Sequence, residues 1–109
     1  MLTDPTSMDV LTRVKRLVLR RQVVFTLKAQ EEMDADELGA EEVYEAILNA
    51  HCVDKILRSR SPRRYAPTEK IYVIKGLTFG NELIYTKGKI ATNEGVETFY
   101  VLISSKLST

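Results

Sequence analysis

The spacing of apolar residues changes period halfway along the chain. Val10, Val14, Leu17 and Val18 recur at i, i+4, i+7 and i+8, and Arg13, Lys15, Arg16 and Arg20 occupy the other side. This predicts an amphipathic basic helix, opened by a Thr6/Asp9 capping box and ending near Arg21. Residues 1–7, punctuated by Pro5, are expected to fray. After a short Val23-Val24-Phe25 stretch, Thr26 is placed to cap a second helix running to about Asp36, with Leu27 and Met33 on its faces. Gly39 breaks it. A third helix starts at Ala40, with Glu41 and Glu42 in its positive first turn and Val43, Ala46, Ile47 and Ala50 as its stripe.

From Cys52 the period shortens. Residues 52–59, 70–77, 82–90 and 96–104 are rich in Ile, Val, Tyr, Phe and Thr and predict four strands. Gly76 to Asn81 and Asn93-Glu94-Gly95 supply hairpin turns, so the strands are expected to be antiparallel. Pro62 and Pro67 exclude 60–68 from any interior strand. The expected fold is α+β, one domain over 1–109, with the N-terminal helices packed on one face of a four-stranded antiparallel sheet.

Charge follows the same division. Residues 1–50 carry six bases against ten acids and residues 51–109 ten against five, so a formal net charge of +1 joins an acidic half to a basic one. Thr26 to Ala50 holds eight acids and one lysine, which makes the predicted helix pair the acidic part. Arg58, Arg60, Arg63 and Arg64 fall within seven residues, running from a strand end into the loop that follows. Each guanidinium can give a phosphate two parallel hydrogen bonds, and a basic half is where a polyanion binds. A solvated surface loop has the same composition, so the cluster needs neighbours to gain meaning.

The predicted sheet supplies them. Alternation places Tyr85, Lys87 and Leu83 on one face of their strand, with Ile84 and Thr86 on the other. A tyrosine beside a lysine offers a stacking surface for a base and a cation for its phosphate. Tyr72 and Lys75 on the preceding strand and Lys106 at the end of the last extend the set. Phe99 and at least one of the tyrosines are expected in the core, where large rings usually go.

Other chemistry is restricted. The single His51 excludes a two-histidine nuclease mechanism and a His-rich metal site, and its place after the third helix suits a structural role. Cys52 has no cysteine partner and is expected to be a small buried apolar residue. Asp34, Asp36, Glu37, Glu41 and Glu42 are read as capping and solvated groups, with no metal ligated. No run of eighteen apolar residues and no export signal are found, so no membrane contact and a cytoplasmic location are expected.

Val14-Lys15-Arg16-Leu17-Val18, Gln22-Val23, Thr26, Ala29, Asp36-Glu37-Leu38-Gly39, Leu83-Ile84-Tyr85-Thr86-Lys87 and Val101-Leu102-Ile103-Ser104-Ser105-Lys106 together resemble the MqsR-type toxins. These belong to the RelE-like superfamily of bacterial type II toxin-antitoxin systems, and the resemblance spans about residues 8–106. The central part is also similar to a large bacterial family whose members are encoded beside a zinc-finger protein. The resemblance implies a RelE-like fold and a metal-independent endoribonuclease, an mRNA interferase without cofactor. It also implies a cognate antitoxin of zinc-finger or helix-turn-helix type. Cleavage would use the 2′-hydroxyl of the RNA and leave a cyclic phosphate. Tyr85 matches the strand tyrosine of the family and Lys106 a basic position near its C-terminus. The lysine after the third helix matches Lys55 or Arg58, and a family glutamine falls near Glu69.

The expected catalytic set is therefore Lys55, Arg58, Arg60, Tyr85 and Lys106, with Arg63, Arg64, Lys75 and Lys87 binding RNA. A non-catalytic RNA- or protein-binding module of the same fold is the alternative. A DNA-binding regulator built on the first helix is weaker, because the two following helices are acidic and no recognition helix follows.

Overall fold

The structure, a computed structural model, describes residues 9–58 and 69–108. Expectations for Thr6, for fraying of 1–7 and for Arg60, Arg63, Arg64 and the 60–68 loop lie outside the described residues.

Helix α1 spans Val10–Leu19 and begins at Asp9, whose carboxylate accepts from Leu11 N at 3.1 Å. It buries Leu11, Val14, Leu17 and Val18, so Leu11 joins three members of the expected stripe while the fourth, Val10, is only half-buried. Arg21 ends the helix in the left-handed region (φ 58°), and Gln22 N then donates to Leu17 O and Arg21 N to Val18 O. These two bonds close the carbonyls the last turn leaves open. Helix α2, Leu27–Ala35, is capped by Thr26 Oγ1 accepting from Ala29 N at 3.2 Å. Its end repeats the same pattern, with Glu37 at φ 57° and Leu38 N donating to Met33 O. Helix α3, Ala40–Asn49, starts at Gly39, whose N–H donates to the Glu42 carboxylate at 2.9 Å. Gly39 is thus the first cap of α3, while α2 has already been closed by Glu37 and Leu38.

The strands are β1 (Val23–Phe25), β2 (Lys55–Arg58), β3 (Lys70–Leu77), β4 (Leu83–Asn93) and β5 (Val96–Leu107). They form one sheet in the order β1-β5-β4-β3-β2. The α+β class is as expected, but the sheet has five strands and is mixed. Val23, Val24 and Phe25 pair in parallel with Tyr100, Val101 and Leu102, while the other neighbours are antiparallel. Three residues carry too little alternation to announce a strand. They pair because α1 returns the chain to β5, where Tyr100 N donates to Gln22 O. β2 is shorter than expected, and β4 and β5 run past their predicted ends.

One face of the sheet is covered by helices. Tyr72, Ile74, Ile84, Tyr100 and Leu102 pack there with Val14, Val18, Val43 and Ile47 in one apolar core. Gly76 lies inside β3, although it resembles a turn residue in the sequence. Its missing side chain lets α3 approach, since a Cβ there would stand 1.7 Å from the Ala46 carbonyl oxygen. Gly88 similarly makes room for the Tyr100 ring. Helix α2 lies against the outer edge of β5 beyond β1, where Glu32 and Asp36 take up strand N–H groups. Among the described residues no helix packs in this way on the other face of the sheet, and its alternate residues form the site.

Candidate nucleic-acid interface

Register decides which side chains share the open face. Lys75 on β3 opposes Tyr85 on β4, and Tyr85 opposes Lys106 on β5. Directly opposed residues of antiparallel strands point to the same side, so the three form a row across the sheet. Their sequence neighbours Ile74, Thr86 and Ser105 are buried on the other side, where Thr86 Oγ1 donates to Ile74 O at 2.7 Å. The alternation expected for Leu83 to Lys87 is therefore observed. In the adjacent row Val73 opposes Lys87, and Lys55 on β2 opposes Val73.

The row is a phenol between two ammonium groups. Lys106 Nζ stands 5.6 Å from the centroid of the Tyr85 ring, within the range where a cation is attracted to an aromatic face. Each lysine also has a distant acid: Lys106 Nζ lies 3.9 Å from Glu32 Oε2, and Lys75 Nζ lies 3.9 Å from Asp54 Oδ2. Pairs this long and this exposed contribute little, so a phosphate can displace them. Asp54, Lys55, Val73, Lys75 and Tyr85 line a cavity of about 400 Å³. A second hollow adjoins it on the far side of Tyr85, lined by Asp36, Lys106 and Leu107. Among the described residues, Lys55 and Lys87 have no carboxylate at ion-pair distance.

The structure thus brings Lys55, Lys75, Tyr85, Lys87 and Lys106 together. Arg58 is elsewhere. It opposes Lys70, five positions along β3 from Lys75, or about 16 Å at the usual strand rise, and it alternates to the face opposite Lys55. Arg60, Arg63 and Arg64 lie outside the described residues. Glu69 lies before β3 and holds Lys89 at 2.8 Å. His51 is exposed after α3 and lines a third hollow with Lys75 and Leu83, but neither of the two that hold Tyr85.

Three expectations about individual residues are corrected. Phe99 is 40% exposed, whereas Tyr72 and Tyr100 occupy the core. An irregularity between Lys87 and Gly88, where Ile103 has no partner, shifts β5 by one residue and brings Phe99 opposite Ala91 on the open face. Cys52 is exposed, since the chain turns between α3 and β2 before strand pairing begins. Asp36 is not simply solvated: it bonds to the β5 edge, as Glu32 does. Asp54 and Glu32, the two acids beside the row, were not singled out from the sequence. Asp54 has only its adjacency to Lys55 as a signal, and Glu32 has none, because its partners are more than seventy residues away.

Chemically, the row can hold a phosphate between two cations and offer an aromatic face to a base. Among the described residues no three His, Cys, Asp or Glu side chains are placed to share a metal ion, and no helix is long and apolar enough to cross a membrane. No family model matches the chain, and neither the curated proteins nor the solved structures contain a match.

Proposed function

We propose that the open sheet face binds RNA and cleaves it by metal-independent attack of the 2′-hydroxyl on the adjacent phosphorus. The observation that carries this reading is the Lys75–Tyr85–Lys106 row, locked by register across three strands. In the proposed step the 2′-oxygen bonds to phosphorus, the bond to the 5′-oxygen breaks, and a 2′,3′-cyclic phosphate and a free 5′-hydroxyl result. Lys75 and Lys106 offset the charge that builds on the phosphoryl oxygens. The Tyr85 ring supports a flanking base, and its hydroxyl is placed to hand a proton to the leaving 5′-oxygen. Asp54, 3.9 Å from Lys75, is the carboxylate placed to take the proton from the 2′-hydroxyl. Lys55 and Lys87 hold neighbouring phosphates, while Arg58, on the opposite face, takes no part in the step.

The resemblance to MqsR-type and RelE-like toxins supports the same reading and adds a partner. An RNA-cutting protein in the cytoplasm needs restraint, for which a cognate antitoxin of zinc-finger or helix-turn-helix type is the proposed source. Expression alone should then arrest growth, and co-expression of the antitoxin should restore it.

A second reading is binding without cleavage. It is favoured by the place of His51, which lines a hollow with Lys75 but neither of the two that hold Tyr85, so that acid-base work at Tyr85 falls to phenol, ammonium and carboxylate groups. Incubating purified protein with a broad RNA set in EDTA separates the two. Cleavage should proceed, leave cyclic phosphate ends and be blocked by a single 2′-deoxy substitution at the cut site. Lys106→Ala should slow it about 100-fold. RNA that is bound but stays intact across the set establishes the binding module, and RNA that is neither bound nor cut rejects both readings.

A further inference from the structure

Tyr85 is not alone among the aromatic rings on the open face. Phe99 opposes Ala91, and Ala91 lies six positions along β4 from Tyr85, on the same side as Lys87 and Lys89. The two rings are therefore separated by about 20 Å at the ordinary strand rise. Lys87 and Lys89 stand between them, Lys87 in the row of Val73 and Ser104, and Lys89 opposite Val101. Phe99 is 40% exposed, and Val24, which pairs with Val101 on the neighbouring strand, is 44% exposed. Glu69 pairs with Lys89 beside this line, at 2.8 Å.

We propose that Phe99 is a second base-stacking platform, and that the preferred substrate is extended single-stranded RNA laid along β4 from Tyr85 to Phe99. This deepens the RNA-binding reading of the face and rests on it. A duplex cannot use both rings, because its bases are stacked on each other. An unpaired strand can, and aromatic stacking with a line of cations is the general way proteins hold single strands. The cations decide between RNA and another occupant: an exposed Phe and Val alone would suit any apolar partner, whereas Lys87 between the rings, with Lys75, Lys106 and Lys55 beside Tyr85, calls for a polyanion.

The test uses the full chain and uncleavable 2′-O-methyl oligonucleotides of three and eight nucleotides, with affinity read by fluorescence anisotropy. Phe99→Ala should weaken the eight-mer about ten-fold and leave the trimer unchanged, whereas Tyr85→Ala should weaken both. Phe99→Tyr should bind as wild type and Phe99→Leu as Phe99→Ala, because stacking needs a ring. Circular dichroism verifies that each variant is folded. Wild-type affinity for the eight-mer in Phe99→Ala or Phe99→Leu overturns the proposal while leaving the RNA-binding reading intact. If wild type binds neither length, that reading falls and the proposal with it. A dimer that Phe99→Ala dissociates and RNA does not compete against makes the patch a self-association surface and overturns the proposal as well.

Discussion

Glu32, in the middle of α2, is bonded to Ser104 on β5, seventy-two residues later: its Oε1 accepts from Ser104 Oγ at 2.6 Å and from Ser105 N at 3.1 Å. One turn on, Asp36 accepts from Leu107 N at 2.8 Å. β1 pairs with β5 only as far as Leu102, so the end of β5 from Ile103 to Leu107 would otherwise present bare N–H groups at the sheet edge. The acidic helix takes the place of a strand there. Its carboxylates close the edge and at the same time bring a negative charge to within 3.9 Å of Lys106.

Removing Glu32 should therefore cost stability out of proportion to a surface acid. Glu32→Ala leaves the buried Ser104 hydroxyl and the Ser105 N–H without their acceptor, which should lower unfolding free energy by about 2 kcal/mol. Glu32→Gln keeps an oxygen acceptor and should cost about half as much. Urea denaturation followed by circular dichroism checks both, and equal losses would show that charge, rather than acceptor geometry, holds α2 in place.

Gly76 reads as a turn glycine but works as a contact surface. A methyl group there would meet the Ala46 carbonyl oxygen, which belongs to backbone and cannot swing aside. Gly76→Ala should push α3 off the sheet and destabilise the fold by about 3 kcal/mol. The same assay should register it as a fall in the denaturation midpoint, with no change at all meaning that α3 is free to slide.

Local signals were legible wherever a residue acts on its own neighbourhood. Thr26 as a cap, the stripe of Val10, Val14, Leu17 and Val18, and the alternation that exposes Tyr85 beside Lys87 all follow from short-range geometry. What was hidden depends on contacts across the chain. Val23 to Phe25 become a strand only because β5 is there to pair with them, and Phe99 shares a face with Lys106, seven residues on, only because an irregularity leaves Ile103 unpaired. Within the site, Lys75 and Lys106 could be nominated from the sequence, but their meeting at Tyr85 required the register of three strands.

Two helix ends use the left-handed conformation without glycine. Arg21 gains from it, since its guanidinium stacks 4.6 Å above the Tyr44 ring and pairs with Glu41 at 3.1 Å. Glu37 makes no such contact among the described residues. Glu37→Gly relieves the steric cost of the conformation and should stabilise the chain by about 1 kcal/mol, while Arg21→Gly should give no net gain. Thermal denaturation of the two variants side by side tests the contrast.

Tyr100 predicts an alkaline limit. Its ring is fully buried, its hydroxyl has no hydrogen-bond partner among the described residues, and burial, reinforced by Tyr72, pushes the phenol far above its ordinary value of 10.0. The folded state therefore keeps a proton that the unfolded chain releases. Stability from this group is complete below pH 10 and falls above it by about 1.4 kcal/mol per pH unit, because the unfolded state there binds fewer protons. Burial raises Tyr44 too, with Arg21 opposing the shift and Glu41 adding to it, so the wild-type slope contains both groups. The difference between wild type and Tyr100→Phe isolates the core residue. Tyr100→Phe should be more stable by about 1 kcal/mol at neutral pH and lose part of the alkaline slope. A parallel pair of stability curves up to pH 11 would mean that the hydroxyl reaches solvent.

Salt dependence of RNA binding should distinguish the lysines that meet phosphate from those already neutralised. Each phosphate contact on a single strand contributes about 0.7 to the slope of log affinity against log salt. Lys87 has no carboxylate at ion-pair distance among the described residues, so Lys87→Ala should flatten that slope by about 0.7. Lys89 is held by Glu69 at 2.8 Å, and Lys89→Ala should change the slope much less. Glu69→Gln then has the opposite sign: it frees Lys89 for phosphate, tightens binding at low salt and steepens the slope by about 0.7. Anisotropy titrations of an uncleavable oligonucleotide from 50 to 200 mM salt measure all three. If Glu69→Gln weakens binding instead, Glu69 contacts the RNA directly, and its pairing with Lys89 is broken when the strand arrives.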